Sequence, residues 1–272
     1  MNAPLDSPLG RAVDYAGHYD PNRLFAIPRA PARAALGLGD PLPFHGVDLW
    51  NAYELSWLDR RGKPQLALGE FAVPAASPNL IESKSLKLYL NGFMQTAMDD
   101  REAVRARIAA DLSTTAGAPV AVTLRTATAG EAVGTLAGDC IDGQAIEIDH
   151  YAGPQPERLA AATEVVEETL VSHLLKSNCP VTGQPDWASV QIEWSGPRLD
   201  RGALLRYLVG YREHAEFHEQ CVERIFRDLS QRFAPRRLTV YARYTRRGGL
   251  DINPWRSSEP GPPPENLRLP RQ

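Results

Sequence analysis

The chain is expected to fold in the α+β class, as two copies of one supersecondary unit in which antiparallel strands carry a pair of helices. Three observations point there. Strand-like apolar runs come in pairs around short turns, helical periods come in adjacent pairs, and the order strand, strand, helix, helix, strand, strand is passed through twice without visible sequence repetition. With 272 residues, 43% hydrophobic and 23% charged, the sequence has room for two such units and a sizeable core.

Residues 1–45 are rich in Gly, Pro and Ala and are read as an arm wrapped on the surface. The first unit spans 46–140. V-D-L-W-N-A-Y-E-L-S-W-L and P-Q-L-A-L-G-E-F-A-V are strand-like runs joined by the Gly-containing turn D-R-R-G-K, which predicts a hairpin. Pro74 and Pro78 end the second strand. Leu86, Tyr89, Leu90 and Phe93 then recur at helical spacing, which puts Glu82, Ser83 and Lys84 at a helix N-terminus. Residues 99–112 repeat the helical period with Val104, Ile108 and Leu112 inward, and two strand-like runs follow, P-V-A-V-T-L-R and A-V-G-T-L.

Residues 141–163 form a connector with a short strand and a helical turn, and the second unit spans 164–258. V-V-E-E-T-L-V-S-H-L-L fits helix or strand by period. Its valines and its place before W-A-S-V-Q-I-E-W favour a strand pair. A helix capped near Asp200, a longer one from E-H-A-E-F-H-E-Q to Phe233, and a strand with Leu238, Val240, Ala242 and Tyr244 on one face complete it. Residues 259–272 are a Pro-rich extended tail.

The net charge of −3 shows no general bias towards nucleic acid or anionic lipid, so a small-molecule partner is expected. Cys140, Cys179 and Cys221 are far apart and odd in number, which fits reduced thiols rather than a disulfide framework. The first residues lack a signal-peptide pattern and no apolar run has the ~18–20 residues of a membrane span, so cytoplasmic localisation is expected.

Cys179 lies in S-N-C-P-V-T-G-Q-P-D, where Pro180, Gly183 and Pro185 make a rigid turn that suits the mounting of a nucleophile; an inert loop thiol has the same pattern. Asp186 is an N-cap, a turn former or a general acid. His214, His218 and Cys221 fall at i, i+4 and i+7 of the long helix, a spacing open to a His/His/Cys metal stripe or to ordinary helix residues, since H-E-x-x-H is incomplete. Glu219 is placed to read a ligand's donor groups. Glu82, Ser83 and Lys84 combine carboxylate, hydroxyl and cation at a helix start. Arg243, Arg246 and Arg247 with Gly248 and Gly249 put guanidinium groups at a strand end, suited to a 2′-phosphate or merely solvated. No G-x-G-x-x-G or Walker pattern is present.

The segment L-I-E-S-K-S-L-K-L-Y-L, followed by S-N-C-P-V-T-G-Q-P-D-W, F-H-E-Q-C-V-E-R and Y-T-R-R-G-G-L-D-I-N-P-W-R-S, resembles QueF, the NADPH-dependent 7-cyano-7-deazaguanine reductases of queuosine biosynthesis. The resemblance covers about residues 42–258 and is similar to the long subfamily, which implies two tandem tunnelling-fold (T-fold) units in one chain and a homodimer. It implies that Cys179 adds to the nitrile carbon to give a thioimide, that Asp186 protonates the nitrile nitrogen, and that His218 contacts substrate and assists proton transfer. Ile81, Glu82, Ser83 and Glu219 match substrate-binding positions. Ser83, Lys84, Arg247 and Gly248 match positions for NADPH, of which two are used per turnover. No metal, no direct nucleic-acid contact and no membrane contact are implied.

Two other readings compete. A zinc-dependent T-fold hydrolase related to GTP cyclohydrolase would use His214, His218 and Cys221. A purine-binding module with a redox-sensing cysteine would bind deazaguanines and leave NADPH untouched, but has no use for an acid after the thiol or for a basic strand end.

Overall fold

The computed structural model describes residues 17–126 and 133–272. In chain order its elements are β1 (Ala26–Pro28), α1 (Ala30–Ala35), β2 (His45–Leu58), β3 (Pro64–Pro74), β4 (Asn79–Ile81), α2 (Ser83–Asn91), α3 (Arg101–Ala116), β5 (Ala121–Thr126), β6 (Asp139–Cys140), β7 (Ala161–Asn178), β8 (Pro185–Leu199), α4 (Arg201–Val209), α5 (His218–Phe233), β9 (Arg237–Tyr244) and β10 (Leu250–Ser257). The class is mixed α+β, as expected, and no described helix is long and apolar enough to cross a membrane. The chain divides into two compact units. Among the described residues, the first takes 17–32, 48–126 and 246–252, and the second takes 33–47, 133–245 and 253–272.

In the first unit the strands run in the order β5, β3, β2 and the start of β10, with β3 and β5 antiparallel from Ala67↔Thr126 to Ala72↔Ala121. The helical period of α2 and α3 places Leu86, Tyr89, Val104, Ile108 and Leu112 in one core with Trp50, Leu55, Phe71 and Val122. Asp100 caps α3 by accepting from Ala103 N, and Gly117, at φ 72°, ends it in the left-handed conformation. Tyr19 and Tyr89 both donate to Asp111 at 2.7 Å, which ties the residues before β1 to both helices. The arm is thus more regular than its composition suggests: β1 pairs with β4, and Arg29 meets buried Asp48 at 2.6 Å.

In the second unit the order is the remainder of β10, then β9, β8, β7 and β6, with β6 the parallel member. The Val-rich run is a strand, and β7 and β8 form a long antiparallel hairpin with irregularities between Ala161 and Val165 and between Ser172 and Leu175. Asp200 caps α4 through Ala203 N. Both faces of β9 are covered, so Leu238 through Tyr244 are all buried and the expected one-sided alternation does not hold.

Other expectations need correction. A-V-G-T-L forms no strand: Val133 makes an isolated bridge to Arg268, and Ala132 lies outside the described residues, as do residues 1–16 of the arm. The short strand expected in the connector lies just before it, at Asp139–Cys140, while the helical turn is found at Pro156–Arg158. The long helix begins at His218, because the residues before it spend their backbone groups on the hairpin. Asn178 N donates to His214 O at 2.8 Å, and Glu216 N donates to Asn178 O at 3.1 Å. His214 is therefore not on α5, and the three-residue stripe does not exist as a helical face. Arg243 is no exposed strand-end cation: it is buried and donates to Gln272 Oε1 and Tyr241 Oη.

Two buried ionic groups hold this unit's helical side. Glu223 of α5 accepts from Arg33 at 2.7 and 3.0 Å and from Arg256 at 2.8 and 3.2 Å, and both guanidinium groups lie over the Phe44 ring. Glu216 accepts from Arg224 at 2.6 and 2.9 Å and lies 3.0 Å from His214 Nε2. Burial by itself raises the Glu216 carboxyl, but the hydrogen bonds of Arg224 and His214 outweigh it and hold its pKa below the ordinary 4.5.

Removing one partner of a buried pair strands the other charge, so Glu223→Gln is expected to cost about 3–5 kcal/mol in urea unfolding. A loss within the roughly 1 kcal/mol of a surface pair would refute the role. For Glu216 the sign follows from its lowered folded-state pKa: the stabilisation is complete above the unfolded value and is lost as pH falls through the lower folded one. The stability difference between parent and Glu216→Gln, roughly 3 kcal/mol at neutral pH, is expected to close in acid; a difference that persists unchanged there contradicts the assignment.

Candidate active site

Cys179 sits where β7 turns into β8, and the turn is tighter than a loop. Cys179 N donates to Gln184 O at 2.9 Å, Gly183 N donates to Cys179 O at 3.0 Å, and Gly183 takes the positive φ of 69° that the reversal needs. The ladder pairs Ser177 with Asp186 and Asn178 with Pro185, so Cys179 opposite Gln184 is its next rung. Strand alternation then puts Ser177, Cys179 and Asp186 on one face of the hairpin. Cys179 and Asp186 are both buried. A seven-residue spacing that reads as a turn in sequence is, in three dimensions, a thiol and a carboxylate on adjacent strands facing the same way.

His218 closes on this face from the first position of α5. Its Nε2 lies 3.2 Å from Asp186 Oδ2, and its ring stacks on Tyr244 at 3.8 Å between centroids with 3° between planes. Tyr244 is on β9, opposite Ala188 of β8. Burial, then the nearby Cys221 and Asp186, pushes its phenol well above the ordinary range, so the ring is a neutral platform. Glu219 is buried in the first turn of the same helix, where the helix dipole favours a carboxylate. The two backbone bonds between Asn178 and the His214–Glu216 segment fix the approach of α5 to the residue beside the thiol. Sequence reasoning missed Tyr244, Asn178 and Glu216 as positioning residues. The only sequence signals were the tyrosine in Y-T-R-R and the acid in H-A-E-F-H-E.

Cys221 is wholly buried, and burial first, then the charge of Glu216, raises its thiol well above the ordinary value. With His214 on Glu216 and His218 on Asp186, the three residues of the sequence-derived metal stripe are each engaged differently. Among the described residues, the set of mutually close ligand atoms is another one, Cys140, Asp142 and His173.

The first unit holds the second group of expected residues. Ile81 ends β4 opposite Ala26, and Glu82 N donates to Phe25 O at 2.9 Å. The Glu82 side chain caps α2, accepting from Lys84 N and Ser85 N at 2.7 Å each, while Ser83 and Lys84 are half-buried in the first turn. Burial raises the Glu82 carboxyl, and the two backbone N–H groups oppose it without cancelling it. Arg247 and Gly248 lie in a two-residue hairpin before β10, closed by Arg247 N to Leu250 O at 2.8 Å, with Gly248 and Gly249 at φ 59° and 83° as a type I′ turn requires. A Cβ on Gly248 would run into Lys87 Nζ, so the turn rests against α2 and groups Lys87 with Arg247. Lys87 was not singled out in the sequence.

The family profile described as "Nitrile reductase, 7-cyano-7-deazaguanine-reductase N-term" matches residues 15–124, and one described as "QueF-like protein" matches residues 185–262. Three relatives carry the description NADPH-dependent 7-cyano-7-deazaguanine reductase. The one from Stenotrophomonas maltophilia is 63% identical over 95% of this chain and 94% of its own length. Those from Chromobacterium violaceum and Bordetella pertussis are 58% and 57% identical, over 99% and 98% of this chain and 98% of their own lengths. On similarity of this extent over nearly its whole length, the chain belongs to the NADPH-dependent 7-cyano-7-deazaguanine reductase (QueF) family.

Proposed function

We propose that this chain reduces the nitrile of 7-cyano-7-deazaguanine to the aminomethyl group with two NADPH, in queuosine biosynthesis. The observation that carries the chemistry is the pairing of Cys179 and Asp186 on one hairpin face, with His218 Nε2 3.2 Å from the acid. A nitrile is a poor hydride acceptor. Addition of Cys179 sulfur to its carbon, with proton delivery from Asp186 to nitrogen, turns it into the C=N electrophile of a thioimide. His218, with Nε2 3.2 Å from Asp186 Oδ2 and its ring flat on Tyr244, keeps the acid oriented and helps return its proton.

NADPH when bound supplies hydride, first to the thioimide carbon and then, from a second molecule, to the imine that remains once the thiol has left. Nitrile to amine takes four electrons, hence two NADPH. Glu82 and Glu219 suit the ring N–H and exocyclic amine donors of a deazaguanine, with Ile81 and Ser83 flanking the first. Ser83, Lys84, Arg247 and Gly248 suit the cofactor's phosphates, since two cations stand with a hydroxyl and a backbone turn, and the missing Cβ of Gly248 admits Lys87 as a further cation beside them. None of these steps calls on a metal. Each unit, a mainly antiparallel sheet bearing two long helices, supports the reading of two tandem T-folds, with 46–140 and 164–258 as the repeated segments. We further propose a homodimer, and a cytoplasmic location in keeping with three unpaired cysteines.

Adding 7-cyano-7-deazaguanine is expected to consume NADPH absorbance at about two NADPH per nitrile. Cys179→Ala is expected to bind the nitrile without the thioimide absorbance and without turnover; turnover in that variant would sink the mechanism. Asp186→Asn is expected to lower kcat by roughly 10²–10⁴-fold. Unchanged kcat would move the proton donor elsewhere.

A further inference from the structure

We propose that Cys140, Asp142 and His173 form a binding site for a borderline-soft divalent cation of the zinc class, which clips β6 onto β7. One ligand atom from each residue lies within 4.8 Å of the other two, and the group joins thiol sulfur, carboxylate oxygen and imidazole nitrogen. That donor set selects zinc-like ions over magnesium or calcium, which take oxygen ligands. Three protein ligands also leave a position for water.

The site is built by the strand pairing rather than by chance proximity of long side chains. Gly138, at φ 129°, has no Cβ to strike Thr169 O, which lies 2.7 Å from where one would stand, and so β6 can enter parallel to β7. Cys140 then faces Val171 in register, and Ile141 N donates to Val171 O at 2.9 Å. Asp142 is held by two bonds, Ser172 Oγ to Oδ1 at 2.7 Å and His173 N to Oδ2 at 2.9 Å. The His173 ring is fixed through Nδ1, 2.8 Å from Ser189 Oγ, and Ser189 Oγ also accepts from Arg271 at 3.1 Å. That contact holds the imidazole in place beside the thiol and the carboxylate, the kind of outer support found around metal-bound histidines.

Cys140 is exposed and unpaired, so the thiol can lose its proton to the solvent as its sulfur bonds the cation, with no change in oxidation state. The consequence is mechanical. β6 is two residues long, paired with β7 at Asp139↔Leu170 and Cys140↔Val171, and a cation coordinated by both Cys140 and His173 ties the two strands against fraying. This inference does not depend on the reductase mechanism, because none of its ligands belongs to the Cys179 hairpin face.

The test uses the full chain, stripped with a chelator, kept reduced with a phosphine and titrated with Co²⁺. The expected result is a thiolate-to-cobalt charge-transfer band that saturates at one ion per chain and is displaced by Zn²⁺, together with a rise in Tm on adding Zn²⁺. Cys140→Ser is expected to abolish the band and the Tm rise while keeping the metal-free Tm and the nitrile-reducing turnover of the parent. His173→Ala is expected to weaken binding, and Cys179→Ala to leave the band in place. Absence of a saturable band overturns the proposal. So does a band that survives Cys140→Ser, including one lost instead with Cys179.

Discussion

The register of the β7–β8 hairpin is the constraint on which the thiol site depends. With Ser177 opposite Asp186 and Cys179 closing on Gln184, thiol and acid project from one face. Strand side chains alternate with a period of two, so a slip of one residue on either strand would send Cys179 and Asp186 to opposite faces. The turn enforces the register: Gly183 takes a positive φ that most residues resist, and Pro180 and Pro185 stiffen both ends. The backbone around Cys179 is thereby specified by turn chemistry before any side-chain contact is made.

The acid and the imidazole need a second support, since His218 arrives from a helix rather than the hairpin. It comes from backbone bonds between Asn178 and the His214–Glu216 segment, and from Glu216, whose carboxylate is locked by Arg224. Buried ion pairs contribute modestly to net stability but specify geometry, because the alternatives leave a charge without a partner. Stacking on Tyr244 then sets the plane of the imidazole, leaving Nε2 directed at Asp186. Three kinds of interaction thus fix one ring: a ladder neighbour, a buried pair and an aromatic platform.

Much of this was legible in the sequence where one local rule governed the outcome. The β2–β3 hairpin, helix α2 with Glu82 at its start, the inward face of α3 and the cap at Asp200 all follow from period and capping chemistry. Legibility failed where distant partners decided. Glu213–Phe217 carries a helical composition, yet its backbone pairs with Asn178, so α5 starts late and His214 leaves the stripe. Leu250–Ser257 went unread as a strand because Pro254 and the preceding glycines mask its period, and Arg243 read as a surface cation because its partners Gln272 and Asn266 lie more than twenty residues away. The roles proposed for Cys179 and Glu82 rest on a family pattern, not on spacing, since a turn thiol and a capping carboxylate are common in chains that catalyse nothing.

Environment separates three cysteines that sequence alone presents as equals. Cys221 is sealed among Ser177, Tyr244 and the Glu216 carbonyl, and burial drives its thiol to the protonated form, a poor nucleophile and a poor metal ligand. Cys140 stands in solvent beside an imidazole and a carboxylate, where its sulfur has company suited to a cation but no acid presented across a strand register. Cys179 alone combines a rigid mount with a carboxylate on the same face and a histidine oriented on that carboxylate. Covalent catalysis needs nucleophile and acid held in fixed relation, and of the three thiols only the one at the hairpin turn has that relation built into its backbone.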